Sequence, residues 1–445
     1  MNPTIAEIAA DLQSGRTNSR RLIREAYDRI GDTSGQEAKC FIRLFREQAN
    51  AVAEAVDVMR ASGAPPGPLL GIPVPVKDLC DVAGSVTTAG SMVLQDAPRA
   101  SHDAQVVARL RSAGAIIIGT TNMTEFAMGG VGINPHFGTP LNPYDRATGR
   151  IPGGSSSGSS VAVADGIVPG AVGTDTAGSI QMPAAFCGVT GFKPTARRVP
   201  LAGTIPLAPS LDSIGPIANS VACCATLDAV LAGETDAQLE KVAPDRLTFA
   251  VPQALVFDEL EPEVAAAFDH AVSRLSAAGI RIVEIPFTEL REIPALSFSV
   301  VEGYAWHREL LQTRRHLYDP VVAGRFAKGE SISAADYIAL RRTRSALVRT
   351  SATVTRDFDA LIMPTVPLTA PALARFTDNE ELWLQTNRRM IRNPGIANFL
   401  DRCALSIPCH PPGSAPVGLS MVGEHLGDRR LLAIGLTVEE ILTRT

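Results

Sequence analysis

The sequence lacks the features of a protein held together by disulfides or by cysteine-bound zinc. It contains no CxxC pair, and its cysteines are odd in number and scattered along the chain. Neither a disulfide framework nor a cysteine zinc site is therefore predicted, and this usage is typical of a reducing compartment. The seven cysteines are Cys40, Cys80, Cys187, Cys223, Cys224, Cys403 and Cys409.

Long apolar runs and a strong excess of one charge are also missing. No uninterrupted apolar run approaches the about 18 residues of a transmembrane helix, and no basic stretch near the amino terminus leads into an apolar one. The 41 Lys and Arg residues nearly balance the 46 Asp and Glu residues, which argues against a dedicated nucleic-acid binder. We therefore expect a cytoplasmic protein with neither a membrane nor a nucleic acid as its partner.

Motifs for phosphate cofactors and metals are absent as well. GAIIIGTTN has the form of a turn after a strand, yet neither GxGxxG nor GxxxxGK[ST] occurs. The seven histidines show no metal spacing, and Cys403, Cys409 and His410 are interpreted as structural although they are close in sequence. We predict no cofactor and no metal.

What the chain does have is an α/β pattern with a sizeable core. Hydrophobic residues make up 45% of it and charged residues 20%, as in globular proteins. Ile5, Ile8 and Leu12 stand at helical spacing, and short apolar runs such as LLGIPVPV (69–76) and AIIIG (115–119) alternate with helical segments. Such runs predict buried, mostly parallel strands.

The stretch 129–215 is dense in Gly, Ser, Thr and Pro with little helical period, but its interleaved apolar residues place it inside the fold. Within it, IPGGSSSGSSVAVA (151–164) allows three interpretations. One is a chemically idle linker, which the apolar residues disfavour. Another is the GxSxG nucleophile elbow with Ser156, which would need a preceding strand where the sequence is polar and broken by proline.

The third interpretation joins Ser155 with Lys77, from PVKDLCDVAG, and Ser179, from GTDTAGS. A serine hydroxyl needs a base to become a nucleophile, and no histidine is near either serine in sequence. Lys77 is the candidate base, because burial behind an apolar run would lower its pKa. Taken alone, Lys77 would more simply be a surface lysine paired with Asp78.

These segments resemble the amidase signature family of serine hydrolases. The resemblance covers nearly the whole chain and also includes GIPVPVKD (71–78), GTTNMTEFAMG (119–129), SLDSIGPIA (210–218), DALIMPT and PVGLSMVG. It implies a single large α/β domain over 1–445, with a mixed sheet flanked by helices on both faces. Its parts would be a helical amino-terminal part (1–62), a signature core (65–220) and a helical substrate-side segment (290–350).

The family's Ser–cis-Ser–Lys triad implies that Ser179 is the nucleophile, Ser155 the proton relay and Lys77 the base, with a cis peptide bond entering Ser155. Asp175 is interpreted as an acceptor that holds the loop before Ser179 rather than as a catalytic acid. A tetrahedral intermediate needs donors where its negative charge develops. The backbone N–H groups expected to supply them belong to Thr176, Ala177, Gly178 and Ser179.

Substrate contacts are expected from Ala127, Met128 and Gln181. Many family members have an arginine two or three residues after the nucleophile, where this chain has Gln181 and Met182. An acidic substrate anchored there is disfavoured, although another arginine could serve. The segment 290–350 is expected to wall the pocket with Phe298, Tyr304, Trp306 and His307.

The sequence thus predicts a hydrolase that cleaves a carbon–nitrogen bond in a linear amide, carbamate or urea-type small molecule through an acyl-Ser179 intermediate. A homodimer is compatible with this prediction. Two alternatives stay open. One is the amidase component of a tRNA-dependent amidotransferase, which shares the triad, and the other is a non-catalytic binding member of the family.

Overall fold

The computed structural model describes residues 2–31, 37–63, 67–235, 238–294 and 297–443. Within them the α-helices are α1 (Ile5–Ser14), α2 (Ser19–Ile30), α3 (Arg46–Ala61), α4 (Gln105–Ser112), α5 (Ser157–Ala164), α6 (Gln181–Cys187), α7 (Val221–Ala232), α8 (Pro262–Ala277), α9 (Phe298–Thr313), α10 (Pro320–Ala327), α11 (Ala334–Thr355), α12 (Glu380–Arg392), α13 (Gly395–Phe399) and α14 (Asp428–Thr443). The strands are β1 (Phe41–Leu44), β2 (Pro73–Lys77), β3 (Ile116–Thr121), β4 (Gly170–Asp175), β5 (Thr190–Lys193), β6 (Ser213–Ala218), β7 (Thr248–Pro252), β8 (Arg281–Ile285), β9 (Ala360–Pro364), β10 (Ala404–Pro408) and β11 (Gly418–Val422).

The strands form one 11-stranded sheet in the order β1-β3-β2-β4-β6-β5-β10-β11-β9-β7-β8. The sheet is mixed, as predicted, but the expectation of mostly parallel strands was wrong: the β2–β3, β2–β4, β7–β8 and β7–β9 pairs are parallel and the other six are antiparallel. The reason is that continuous apolar runs report burial on both faces, which central antiparallel strands covered by helices share with parallel ones.

Helices cover both faces of the sheet, and strand residues alternate between two cores. Ile116 and Ile118 of β3 pack into the core with α2, α3, α5 and α6, whereas Ile117 packs into the larger core with α4, α7, α8 and α14. This alternation is the two-residue period of a strand. The central strands are therefore buried on both faces, and their carbonyl and side-chain ends are the places where polar groups can approach a cavity.

The Gly- and Ser-rich stretch 129–215 lies inside the fold, as predicted. It contributes β4 and β5 together with two short buried helices, α5 and α6, that the sequence pattern did not indicate. Both helices are apolar or small-residue on every side, so they have no amphipathic period to detect. The segment 1–62, expected to be helical, also contains β1, which pairs with β3 at the edge of the sheet.

Candidate active site

Lys77 lies at the end of β2 and is completely buried. Its Nζ donates hydrogen bonds to Ser155 Oγ at 2.7 Å and to Thr174 Oγ1 at 2.8 Å. Thr174 is on the neighbouring strand β4, so two adjacent strands and one loop meet at this ammonium group. The interpretation of Lys77 as a surface lysine paired with Asp78 was wrong, because the Asp78 carboxylate turns to Thr88 and Gly90 instead.

Burial lowers the pKa of Lys77 to about 7. Removal from water disfavours the charged ammonium, and this effect outweighs the attraction of the carboxylates of Asp175 and Asp212, which acts in the opposite direction. Near neutral pH, a substantial fraction of Lys77 is therefore an uncharged amine that can accept a proton.

The loop that carries Ser155 is shaped by two glycines. The peptide bond between Gly154 and Ser155 is cis, as predicted, and Gly153 has a positive φ of 72°. A Cβ on Gly154 would come within 2.7 Å of Thr124 Oγ1, so no larger residue fits there without a shift. The carbonyl of Ser155 accepts from the Thr124 N–H at 3.1 Å, which fixes the loop to the segment after β3.

Ser156, the serine of the GxSxG match, does not have the geometry of a nucleophile elbow. Its side chain is completely buried. Its Oγ donates to the Thr174 carbonyl at 3.2 Å and accepts from the Thr174 N–H at 3.3 Å. The elbow interpretation was wrong: Ser156 holds the strand that carries one of the two partners of Lys77.

Asp175 anchors the loop between β4 and α6, as predicted. Its carboxylate accepts from the N–H groups of Gly178 at 2.7 Å and Ile180 at 2.8 Å, and from Asn398 Nδ2 at 2.9 Å. Because the Gly178 N–H is bound to Asp175, it does not point into an oxyanion site as expected. The N–H groups of Thr176, Ala177 and Ser179 have no acceptor among the described residues.

Ser179 lies on this loop, at the wall of a cavity of about 330 Å³. The carbonyl of Ser179 accepts from the Ser156 N–H at 3.3 Å, which ties its loop to the one that carries Ser155. Ala127 and Met128, expected to contact substrate, line the same cavity. Gln181 does not line it: it is completely buried, with its Nε2 directed to Asp175 at 3.4 Å.

The opposite wall comes partly from the segment 290–350, through Ser297, Ser299 and Val300. The aromatic residues expected there lie elsewhere. Phe298 and His307 are buried, and His307 stacks on Phe326 with its Nδ1 2.7 Å from the Tyr318 hydroxyl. Tyr304 and Trp306 are likewise absent from the lining.

The sequence analysis missed the contribution of α10 and α12 to this cavity. Arg325 of α10 and Lys328 just after it line the wall, and α12 presents Leu384, Asn387, Arg388 and Ile391. These four α12 positions are spaced by three and four residues, so they share one helical face. That spacing was the available signal, but nothing in the sequence indicated which element the face would meet.

The cysteines and histidines form no metal-binding group in the part of the chain that the structure describes. All seven cysteines are buried and unpaired by disulfides. His410 interacts through Nδ1 with the Val417 carbonyl at 3.4 Å. Among the described helices, none is both long and apolar enough to cross a bilayer.

Comparison with known proteins agrees with this architecture. The family model described as Amidase matches residues 21–432. The chain is 36% identical to a 2-amino-5-chloromuconic acid deaminase of Comamonas testosteroni, covering 89% of this chain and 87% of that protein. It is 34% identical to the amidase-type component of the glutamyl-tRNA(Gln) amidotransferase of Chromohalobacter salexigens, covering 97% and 95%. A crystal structure of an amidase superposes with a TM-score of 0.88 at 34% identity, covering 99% of this chain and 100% of that one. The protein therefore belongs to the amidase family.

Proposed function

We propose that the protein hydrolyses a carbon–nitrogen bond of a small linear amide, or of a related carbamate or urea-type molecule, with Ser179 as nucleophile, Ser155 as proton relay and Lys77 as base. The contact that carries the proposal is the 2.7 Å hydrogen bond between Lys77 Nζ and Ser155 Oγ, made by a lysine whose burial lowers its pKa to about 7. A lysine has no structural reason to be buried without a carboxylate partner, since that placement is costly.

In the acylation step, Ser179 Oγ attacks the carbonyl carbon of the substrate. Its proton passes to Ser155 Oγ, and the Ser155 proton passes to the uncharged Lys77 Nζ. The tetrahedral intermediate collapses as the carbon–nitrogen bond breaks, and the leaving nitrogen takes a proton back along the same relay. A water molecule then repeats the sequence on the acyl-Ser179 ester, which releases the acid and restores the serine.

The negative oxygen of the intermediate needs fixed donors close to Ser179. The N–H groups of Thr176, Ala177 and Ser179 remain available in the described structure, whereas that of Gly178 is bound to Asp175. We therefore reduce the proposed oxyanion donors to three. Asp175 supports them indirectly, because its carboxylate fixes the backbone of their loop.

The experiment is a panel of amides, carbamates and ureas assayed for release of ammonia or amine, combined with labelling of the serine by a sulfonyl fluoride. Ser179→Ala should abolish turnover and labelling. Ser155→Ala and Lys77→Ala should each reduce turnover by several orders of magnitude, because the members of a relay act as a unit. Ser156→Ala is the matched control and should keep most of the activity. Near-normal turnover in any of the three triad variants would falsify the assignment.

A second candidate function is glutaminase within a tRNA-dependent amidotransferase, favoured by the 34% identity to a component of such an enzyme over 97% of this chain. It would use the same triad but would require a partner protein. Co-purification with a second protein, and glutamine hydrolysis that depends on that protein, would select it. Turnover of small amides by the isolated chain at full rate would select the independent hydrolase.

A further inference from the structure

The cavity beside Ser179 is lined by three cationic side chains and, among the described residues, by no carboxylate. The cations are Arg325, Lys328 and Arg388. Other surface cavities of the described structure contain both signs: one combines Arg356 with Asp357, and another combines several arginines with Asp401. An uncompensated positive lining is therefore a property of the proposed active site rather than of the protein surface in general.

Arg325 is the most strongly fixed of the three. Its Nη1 donates to the Met128 carbonyl at 2.6 Å, and its guanidinium lies 5.2 Å from the centre of the Trp383 ring. Gly129 makes this packing accessible, since a Cβ there would come within 2.6 Å of the Trp383 ring. Burial lowers the pKa of Arg325 to about 10, so the side chain stays charged at neutral pH.

No carboxylate of the described residues lies within ion-pair distance of Arg325. A charge removed from water without a counter-ion is unfavourable, and a bound anion would offset that cost. The planar guanidinium has five N–H donors, of which the Met128 contact uses one, so donors remain for a carboxylate.

Arg388 and Lys328 extend the positive lining toward solvent. Both are exposed, and neither has an ion-pair partner in the part of the chain that is described. The adjacent Arg389 differs: it faces away from the cavity and lies 3.3 Å from the Glu259 carboxylate. Helix α12 thus directs one arginine into the cavity without a partner and pairs the next on the surface.

We propose that the cavity selects an amide that carries a carboxylate, namely the monoamide of a small dicarboxylic acid, held at Arg325 and steered by Arg388 and Lys328 while its amide carbonyl meets Ser179. The inference rests on the proposed hydrolase function and names its substrate class. The volume of about 330 Å³ suits a small molecule, and the positive charge comes from α10 and α12 rather than from positions 181 and 182.

The test compares glutaramic acid with glutaramide, which replaces the carboxylate by an uncharged amide of nearly equal size. The wild type should hydrolyse the acid with a kcat/KM about ten- to a hundredfold higher, as expected for charge-assisted hydrogen bonds. Arg325→Gln and the exposed Arg388→Gln should each reduce that ratio at least several-fold. Arg389→Gln is the matched control, and its ratio should equal that of the wild type. Equal kcat/KM values for the two probes in the wild type, or an unchanged ratio in both cavity variants, would overturn the proposal.

A second readout does not depend on turnover. Glutarate should protect Ser179 from sulfonyl fluoride labelling at a lower concentration than glutaramide does, and Arg388→Gln should remove the difference. Equal protection by the two compounds in the wild type would overturn the carboxylate subsite. If Ser179 is not labelled at all, the proposed nucleophile is wrong, and calorimetric binding of glutarate against glutaramide then decides the subsite alone: stronger binding of glutarate supports it, and equal binding overturns it.

Discussion

Lys77 combines two properties that conflict in a folded protein: it can carry a charge, and it has no contact with solvent. Its amine is bound only to hydroxyl groups, and burial outweighs the effect of the nearby carboxylates on its pKa. If the amine must be neutral to accept the Ser155 proton, activity should rise with pH through the folded pKa of about 7.

We therefore predict a single ionisation on the acidic limb of the kcat/KM profile, with a midpoint near pH 7, for a substrate that does not itself ionise. Histidines would give a similar midpoint, but none lines the cavity among the described residues. The limb should be absent from the residual activity of Lys77→Ala. A profile flat from about pH 5 to 10, or a limb that disappears only on replacement of a histidine, would mean that the base has been misidentified.

The same burial predicts a dependence of stability on pH. The pKa of Lys77 is about 7 in the folded state against an ordinary value of 10.5, so between these pH values the unfolded chain binds a proton that the folded chain does not. The free energy of unfolding should therefore rise with pH across this window. Below it both states are protonated, and the cost of the buried charge is fully present.

Lys77→Met removes this contribution and is predicted to abolish turnover while stabilising the fold most strongly near pH 6. Chemical denaturation at pH 6 and pH 9.5 would measure the difference between variant and wild type. The advantage of the variant should shrink at the higher pH. A constant or growing advantage would contradict a buried lysine with a depressed pKa.

At the residue scale, the sequence was informative where chemistry depends on residue type within a local motif. Lys77, Ser155 and Asp175 stand in segments whose spacing could be matched, and Asp175 anchors its loop as predicted. Thr174 could not be assigned from sequence, because its hydroxyl reaches Lys77 only through the pairing of β4 with β2. Arg325 was missed for the same kind of reason: its place in the cavity depends on how α10 packs.

At the scale of elements, the loop between β4 and α6 depends on one carboxylate. Asp175 accepts from backbone N–H groups at both sides of Ser179 and also raises the pKa of Lys77. Asp175→Asn leaves one carbonyl oxygen and replaces the other oxygen by a donor, which cannot accept from a backbone N–H. Loop geometry and the charge near Lys77 should therefore change together.

We predict that Asp175→Asn lowers kcat/KM at least tenfold and moves the acidic limb to lower pH, because a carboxylate that favours the protonated lysine is gone. Asp228→Asn is a suitable control, since Asp228 is also buried but pairs with Arg198 and is not among the charges acting on Lys77. It should lower stability without moving the limb. A limb that stays in place in Asp175→Asn would show that the two groups are not coupled.

The order and type of most elements could be predicted from apolar period, whereas strand direction and two helices could not. The strand–helix–strand unit expected over 247–286 is present as β7, α8 and β8. The short helices α5 and α6 are buried on all sides, so tertiary packing rather than an amphipathic stripe selects their conformation. Strand direction depends on chain connections that no local window contains.

For the whole molecule, we propose that residues 1–445 fold as one domain. The larger core contains Ile5 from the first helix and Ile441 from the last, together with strand residues such as Ile117 and Leu405. The amino-terminal part, the core over 65–220 and the carboxyl-terminal helices thus share buried surface. The resemblance of motifs in order along the chain predicted this unity, but which side chains join the two ends could not be predicted from sequence.

A shared core predicts that the parts unfold together, and the chain carries its own probes. Trp306 and Trp383 report on α9 and α12, whereas Cys40 and Cys187 are buried in the amino-terminal part and in the segment 65–220. In a urea titration, tryptophan fluorescence and pulsed thiol labelling of the individual cysteines should give coincident midpoints, because losing any layer exposes the apolar surface of the others. Labelling of Cys40 at a clearly lower urea concentration than the fluorescence change would mean that the amino-terminal part unfolds as a separate unit and that the chain is not one cooperative domain.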